Sequence, residues 1–157
     1  MSVVFKDYSF EVKNKIKDNA VAFLHEAAGA IVSRAKRTTR VGTGQLKNSW
    51  TYEVDEKNLT VTIGSPLENA LWEELGTGEY ALKGRGRKKV WYVPVKGYKG
   101  KKKPTYNGQV VIVYGKQGTA FYKTNGKKPQ RTLFKAFETQ KGKIIKRAEK
   151  IMKGLNE

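Results

Sequence analysis

The chain has 157 residues, 38% apolar and 29% charged, with one histidine, no cysteine and a formal net charge of +18. That length suits one domain with a real core. The missing cysteines exclude a disulfide framework, a thiolate metal site and a cysteine nucleophile, and a lone histidine excludes a multi-histidine zinc centre.

The N-terminal Met1-Ser2-Val3-Val4-Phe5-Lys6-Asp7 lacks the basic and apolar regions of a signal peptide. No apolar run is long enough to span a bilayer, so a protein that starts soluble in the cytoplasm, with no membrane to cross, is expected. Eight Tyr, six Phe and three Trp argue against wholesale disorder.

Residues 9–37 read as one long amphipathic helix. Val12, Ile16, Ala20, Phe23, Ala27, Ile31 and Ala35 recur at three- and four-residue steps, with Lys13, Lys15, Lys17 and Asp18 on the other face. Ser9 is placed to cap its start, and Asp7 to meet the positive end of its dipole. Val41-Gly42-Thr43-Gly44 breaks it. Residues 46–54 then read as a strand entry, with Trp50, Tyr52 and Val54 alternating against Thr51 and Glu53. After a turn at 55–58, residues 59–63 return as the second arm of an antiparallel hairpin.

Residues 68–75 form a short helix or tight turn with Ala70, Leu71, Trp72 and Leu75 inward. Strands follow at 90–95, 109–114 and 120–123, with Pro94 pushing the first towards a sheet edge. From 130 a second long helix runs to about 153; Thr132 is its candidate N-cap, and Leu133, Phe137, Ile144, Ala148, Ile151 and Leu155 mark its apolar face. No linker divides the chain, and no repeat of fixed period appears. The expectation is one α+β domain over 1–157. Its core is a mainly antiparallel β-sheet packed by long N-terminal and C-terminal helices, with a basic loop/hairpin insertion at about 83–107.

The charge is uneven. Residues 80–137 hold 16 Lys and Arg and no acid, so nearly the whole net charge lies in one stretch. Like charges held close repel, so such a stretch favours an anionic partner: nucleic acid, an anionic membrane surface or acidic protein. A solvated basic surface is the plain alternative. Lys83, Arg85, Arg87, Lys88, Lys89, Lys99, Lys101, Lys102 and Lys103 are the candidate contact residues. Trp91, Tyr92, Tyr98 and Tyr106 lie between them, in a pattern that neutralises phosphates and stacks on bases. No helix-turn-helix, finger or ribonucleoprotein signature is present, which points away from sequence-specific readout.

Catalysis finds little support. His25 lies beside an apolar helix face and reads as packing or exposure. Glu73-Glu74 with Glu68 or Asp55 would be the seed of a magnesium nuclease, but adjacent glutamates on a helix face different ways. Neither Gly76-x-Gly78 nor Gly84-x-Gly86 completes a nucleotide fingerprint. Catalytic residues, metal and cofactor are therefore all expected to be none.

Four segments in order resemble the tail-completion, or neck, proteins of long-tailed bacteriophages. Thr43-Gly44-Gln45-Leu46-Lys47-Asn48-Ser49 resembles the family's Thr-Gly-x-Leu-x-x-Ser element. Val61-Thr62-Ile63-Gly64 is similar to the strand ending in glycine that follows. Ala70-Leu71-Trp72-Glu73-Glu74-Leu75-Gly76-Thr77 resembles its Tyr-Ala-x-x-(Val)-Glu-x-Gly-Thr element. Residues 129–136, with Leu133-Phe134, resemble the Pro-x-x-Phe-(Leu)-x-x-Ala opening of its last helix. Asn69 stands where the family has Tyr, and the basic insertion is heavier than the family's.

The resemblance implies a non-enzymatic structural protein of the virion neck and tail. It also implies a homo-oligomeric ring, a hexamer favoured, that joins the capsid connector to the tail. The neighbours would be connector or stopper proteins and tail-terminator or tail-tube proteins, with packaged DNA in the channel a further candidate. Thr43, Gly44, Leu46, Ser49, Glu74, Gly76, Thr77 and Phe134 would then be structural motif residues. Glu73 or Glu74 is a candidate ion-pair partner for a cation of the same or a neighbouring subunit. The basic loops would contact neighbouring subunits, some of them near the channel. The alternative readings are a sequence-independent nucleic-acid-binding protein, then a magnesium-dependent nuclease.

Overall fold

The structure, a computed structural model, describes residues 8–40, 44–84, 86–94, 111–114 and 120–154. In order they form α1 (Ser9–Thr38), α2 (Gln45–Ser49), β1 (Thr51–Asp55), β2 (Thr60–Gly64) and α3 (Glu68–Leu75). Two 3-10 turns follow (Gly78–Tyr80 and Leu82–Gly84), then β3 (Trp91–Pro94), β4 (Val111–Tyr114), β5 (Ala120–Thr124) and α4 (Thr132–Gly154). The class is α+β with a long helix towards each end, as the periodicity predicts. All pairing among the described strands is antiparallel, but they form two sheets, β1-β2 and β3-β5-β4, rather than one. Each sheet is built from strands close in sequence, and alternation along a strand does not report which neighbours it joins. By contacts the chain divides into two compact units: Met1–Leu67 with Thr132–Glu157, and Glu68–Arg131.

In the first unit α1 packs against α4 and against the β1-β2 hairpin. The buried set is Ala27, Ala28, Ile31, Val32 and Ala35 of α1, Trp50, and Ala136 of α4. Of the small-residue patch at 27–30, Ala27 and Ala28 are buried, whereas a Cβ at Gly29 would meet nothing within 4 Å, so the close approach expected there is not seen at Gly29. Only part of the apolar stripe on α1 is used. Every residue from 8 to 19 is exposed, so Val12 and Ile16 lie outside the core their spacing suggested. Ser9 is the first helical residue rather than the cap; Tyr8 holds the N-cap position with no side-chain cap bond. The dipole role expected of Asp7 lies outside the described residues. Thr132 likewise opens α4 from inside the helix, and it is buried.

The strand entry expected from Leu46 starts later. Residues Gln45–Ser49 make one helical turn, and extended structure begins at Thr51. Gly44 explains the difference. At φ +79° it occupies the left-handed region, and its carbonyl accepts the Asn48 N–H at 3.0 Å, starting a helical turn. The hairpin pairs Thr51 with Gly64, Tyr52 with Ile63 and Val54 with Val61. Tyr52, Val54, Val61 and Ile63 are half-buried, while Thr51, Glu53 and Thr62 face solvent, the alternation of a one-sided sheet. Asp55 fixes the turn: its carboxylate accepts the Lys57 and Asn58 N–H groups at 2.9 and 3.0 Å and Asn58 Nδ2 at 2.7 Å.

In the second unit β5 lies between β3 and β4, with Tyr92 opposite Lys123 and Val111 opposite Lys123 on the other side. The helix at Glu68–Leu75 is present, but of its apolar residues only Ala70 is buried. Leu71 (60% exposed), Trp72 (51%) and Leu75 face outward, against expectation. An eight-residue helix offers one narrow inward line, and Ala70 occupies it. Among the described residues, no helix is long and apolar enough to cross a membrane.

Candidate functional site

Of the eight motif residues, Thr43 lies outside the described residues, and the rest fall into three structural groups. Two of the groups are closures. In the first unit, Ser49 ends α2 by donating to the Leu46 carbonyl at 2.8 Å and shares a 2.7 Å hydrogen bond with Ser65 just past β2. Ser65 Oγ in turn accepts the Leu67 N–H at 3.2 Å. The Gly-x-Leu-x-x-Ser spacing therefore joins the two open ends of the hairpin. Beside it Trp50, 3% exposed, donates its indole N–H to Thr39 Oγ1 at 2.8 Å, and Thr39 donates to the Ala35 carbonyl at 2.7 Å. That chain of bonds ties the last turn of α1 to the start of β1. The alternation of residues 50–54 marks Trp50 only as one member of a strand and not as an anchor; the Thr just past a helix end is the one signal for that role.

In the second unit, Gly76-Thr77 pairs with the segment leaving β5. The Thr77 N–H donates to the Lys127 carbonyl at 2.9 Å, and the Lys127 N–H donates back to the Thr77 carbonyl at 3.2 Å and to its Oγ1 at 3.0 Å. Next along, the Glu79 N–H donates to the Asn125 carbonyl at 2.8 Å. Two glycines make the approach possible. Gly76 has φ +73°, and a Cβ there would lie 2.8 Å from the Lys127 carbonyl oxygen and from Pro129 Cδ. Gly78 has φ +61°, and a Cβ there would overlap the Asn125 carbonyl. Thus the Glu-x-Gly-Thr pattern is a backbone clamp.

The acids beside this clamp are engaged. Glu73 makes an ion pair with Lys127 of the same chain, both side chains mostly buried, and its carbonyl accepts the Gln130 N–H at 2.7 Å. Of the two partner choices open to Glu73, its own chain supplies the cation. Nothing in the sequence singles out Lys127, one of many lysines, as the partner. Glu74 is half-buried. Among the described residues no three His, Cys, Asp or Glu side chains gather closely enough to hold a metal ion. His25 is exposed and sits edge-on to Tyr52, ring centroids 5.8 Å apart.

Phe134, the third kind of motif residue, lies near the start of α4 and is exposed. Of the nine basic candidates, Arg85, Lys99, Lys101, Lys102 and Lys103 lie outside the described residues. Lys83 has its backbone in the second 3-10 turn. Arg87, Lys88 and Lys89 are exposed on the approach to β3. The Arg87 guanidinium stands 5.7 Å from the Trp91 ring centre, and Lys128 Nζ 5.6 Å from that of Tyr80. Tyr92 is exposed and Lys123, its cross-strand neighbour, is too. Cations and aromatic faces therefore share the described surface of this unit.

Comparison with known proteins adds one finding. The family model described as "Bacteriophage HK97-gp10, putative tail-component" matches residues 5–81. That span includes α1, the α2 turn, the hairpin, α3 and the Gly76-Thr77 clamp. No curated protein and no solved structure matches the chain.

Proposed function

We propose, from the premise that residues 5–81 carry the pattern of a phage tail-component family, that this chain is a structural protein of the head–tail junction. In this reading it assembles as a ring, six copies favoured, and joins the capsid connector to the tail without catalysing a reaction. The observation that carries the reading is the family match together with what the matched motif residues do. Gly44, Ser49, Gly76 and Thr77 close turns and join segments, which is the work of a scaffold. Glu73, half of the acidic pair a magnesium nuclease would need, is held by Lys127.

Large exposed apolar side chains on α1, α3 and α4 support an assembling protein, because a lone subunit gains nothing from exposing them. The test is electron microscopy and light scattering of the purified chain over a concentration series. Closed rings of uniform size support the reading. A monomer that shows metal-dependent cleavage of DNA, lost on Glu73→Gln or Glu74→Gln, overturns it.

A second reading, sequence-independent nucleic-acid binding, draws on the exposed Arg87, Lys88, Lys89, Tyr92 and Lys123. The two are compatible if that surface faces packaged DNA. Such binding would weaken steeply with salt and ignore sequence, which gel shifts at two salt concentrations measure.

A further inference from the structure

In the second unit the β3-β5 pair has two unlike faces. Trp91 is half-buried and turns towards the clamp, where a Cβ on Gly78 would overlap its ring. Alternation along β3 sends Tyr92 to the opposite face, and there it is 52% exposed. Lys123, its cross-strand neighbour, shares that face and is exposed too. The Cβ atoms of such a pair are about 5 Å apart, within the span of one nucleotide. Lys88 and Lys89 are exposed on the approach to β3. Among the described residues no α-helix packs along this sheet. The charge around it is one-sided. Residues 68–131 hold 15 Lys and Arg against four acids. Glu73 is held by Lys127, and the exposed Glu79 accepts Asn125 Nδ2 at 3.2 Å; Glu68 and Glu74 lie on α3. Among the described residues no acid pairs with Lys88, Lys89 or Lys123.

From this we infer that the Tyr92–Lys123 face binds single-stranded nucleic acid, with a base stacked on Tyr92 and the adjoining phosphates met by Lys123, Lys88 and Lys89. The ligand is identified by the pairing of an open ring with unpaired cations. A basic track beside an aromatic platform is the combination that holds a single strand, because every base has a flat face and every nucleotide a phosphate. An acidic protein surface would use the cations alone. A duplex keeps its bases stacked within the helix, so it too would offer this face only its phosphates. Stacking tolerates any base, which agrees with the absence of a sequence-reading motif. This inference rests on the nucleic-acid reading above and gives that reading its strand form and its stacking residue.

The test is fluorescence anisotropy of the full-length chain with three labelled probes: a mixed-sequence DNA strand about 16 nucleotides long, the same sequence as a duplex, and an abasic strand with the same phosphates. The base-bearing single strand is expected to bind several-fold more tightly than either of the others. Tyr92→Leu should weaken that binding about tenfold and leave duplex binding unchanged, while Tyr92→Phe keeps it. Lys123→Gln should weaken all three and lower the salt slope for the single strand by about 0.7. Circular dichroism matched to the parent checks that each variant is folded. Should Tyr92→Leu fail that check, the abasic comparison on the parent chain still decides. Equal affinity for the three probes overturns the stacking site and leaves a charge-driven nucleic-acid reading standing. No binding of any probe at low salt overturns both.

Discussion

Gly44 and Gly78 share a left-handed backbone, but a new side chain at each would meet different surroundings. At Gly44 a methyl group would meet nothing within 4 Å, so Gly44→Ala bears only the conformational cost of about 1–2 kcal/mol. At Gly78 the same methyl overlaps the Asn125 carbonyl, adding about 1–3 kcal/mol of packing strain. Denaturant unfolding should therefore rank Gly78→Ala clearly below Gly44→Ala; equal losses would show that the clamp at 76–78 is not a tight closure. Thr39→Val tests the other anchor. It leaves the Trp50 indole N–H buried without its acceptor, at a cost of about 1–3 kcal/mol. Asp55 adds a pH dependence. The Asn58 backbone N–H, then the Asn58 side chain and the Lys57 N–H, hold its carboxyl below the ordinary carboxylate value. A depressed folded-state value stabilises above the unfolded value and is lost as pH falls through the folded one. Acid titration of stability below about pH 4 should therefore be shallower in Asp55→Ala than in the parent chain, while the two curves run parallel at neutral pH.

At the scale of elements, the two ion pairs make contrasting predictions. Glu26–Arg147 is solvent-exposed at 3.1 Å, and breaking it should change stability by less than about 1 kcal/mol. Glu73–Lys127 is mostly buried, so Glu73→Ala leaves a shielded cation behind, and a loss of about 2 kcal/mol is expected on unfolding of the second unit. The helices and the hairpin were legible in the sequence because their periods of 3.6 and 2 are imposed by burial on one face. What burial does not impose was not legible. Val12 and Ile16 continue the stripe of Ala27 and Ile31 yet lie outside the core, because periodicity reports a shared face and not what covers it. Leu71 and Trp72 misled in the same way. The turn at Gln45–Ser49 hid behind strand-like neighbours, and only Gly44 marked it. Gly76-Thr77 was recognisable as a motif, but its partner at Lys127 is 50 residues away and has no signature.

For the whole molecule, scaffold and surface divide the chain. The motif residues described in residues 5–81 hold turns closed, while large apolar side chains on α1, α3 and α4 and the cations Arg87, Lys88, Lys89 and Lys123 are exposed. The most direct measurement of the proposed function is a reconstruction of tailed phage particles from the source of this chain, with every copy of the chain in them traced. A closed ring of this protein between the capsid connector and the tail is the expected result. Particles that lack the protein, or carry it as isolated copies away from that junction, would contradict it.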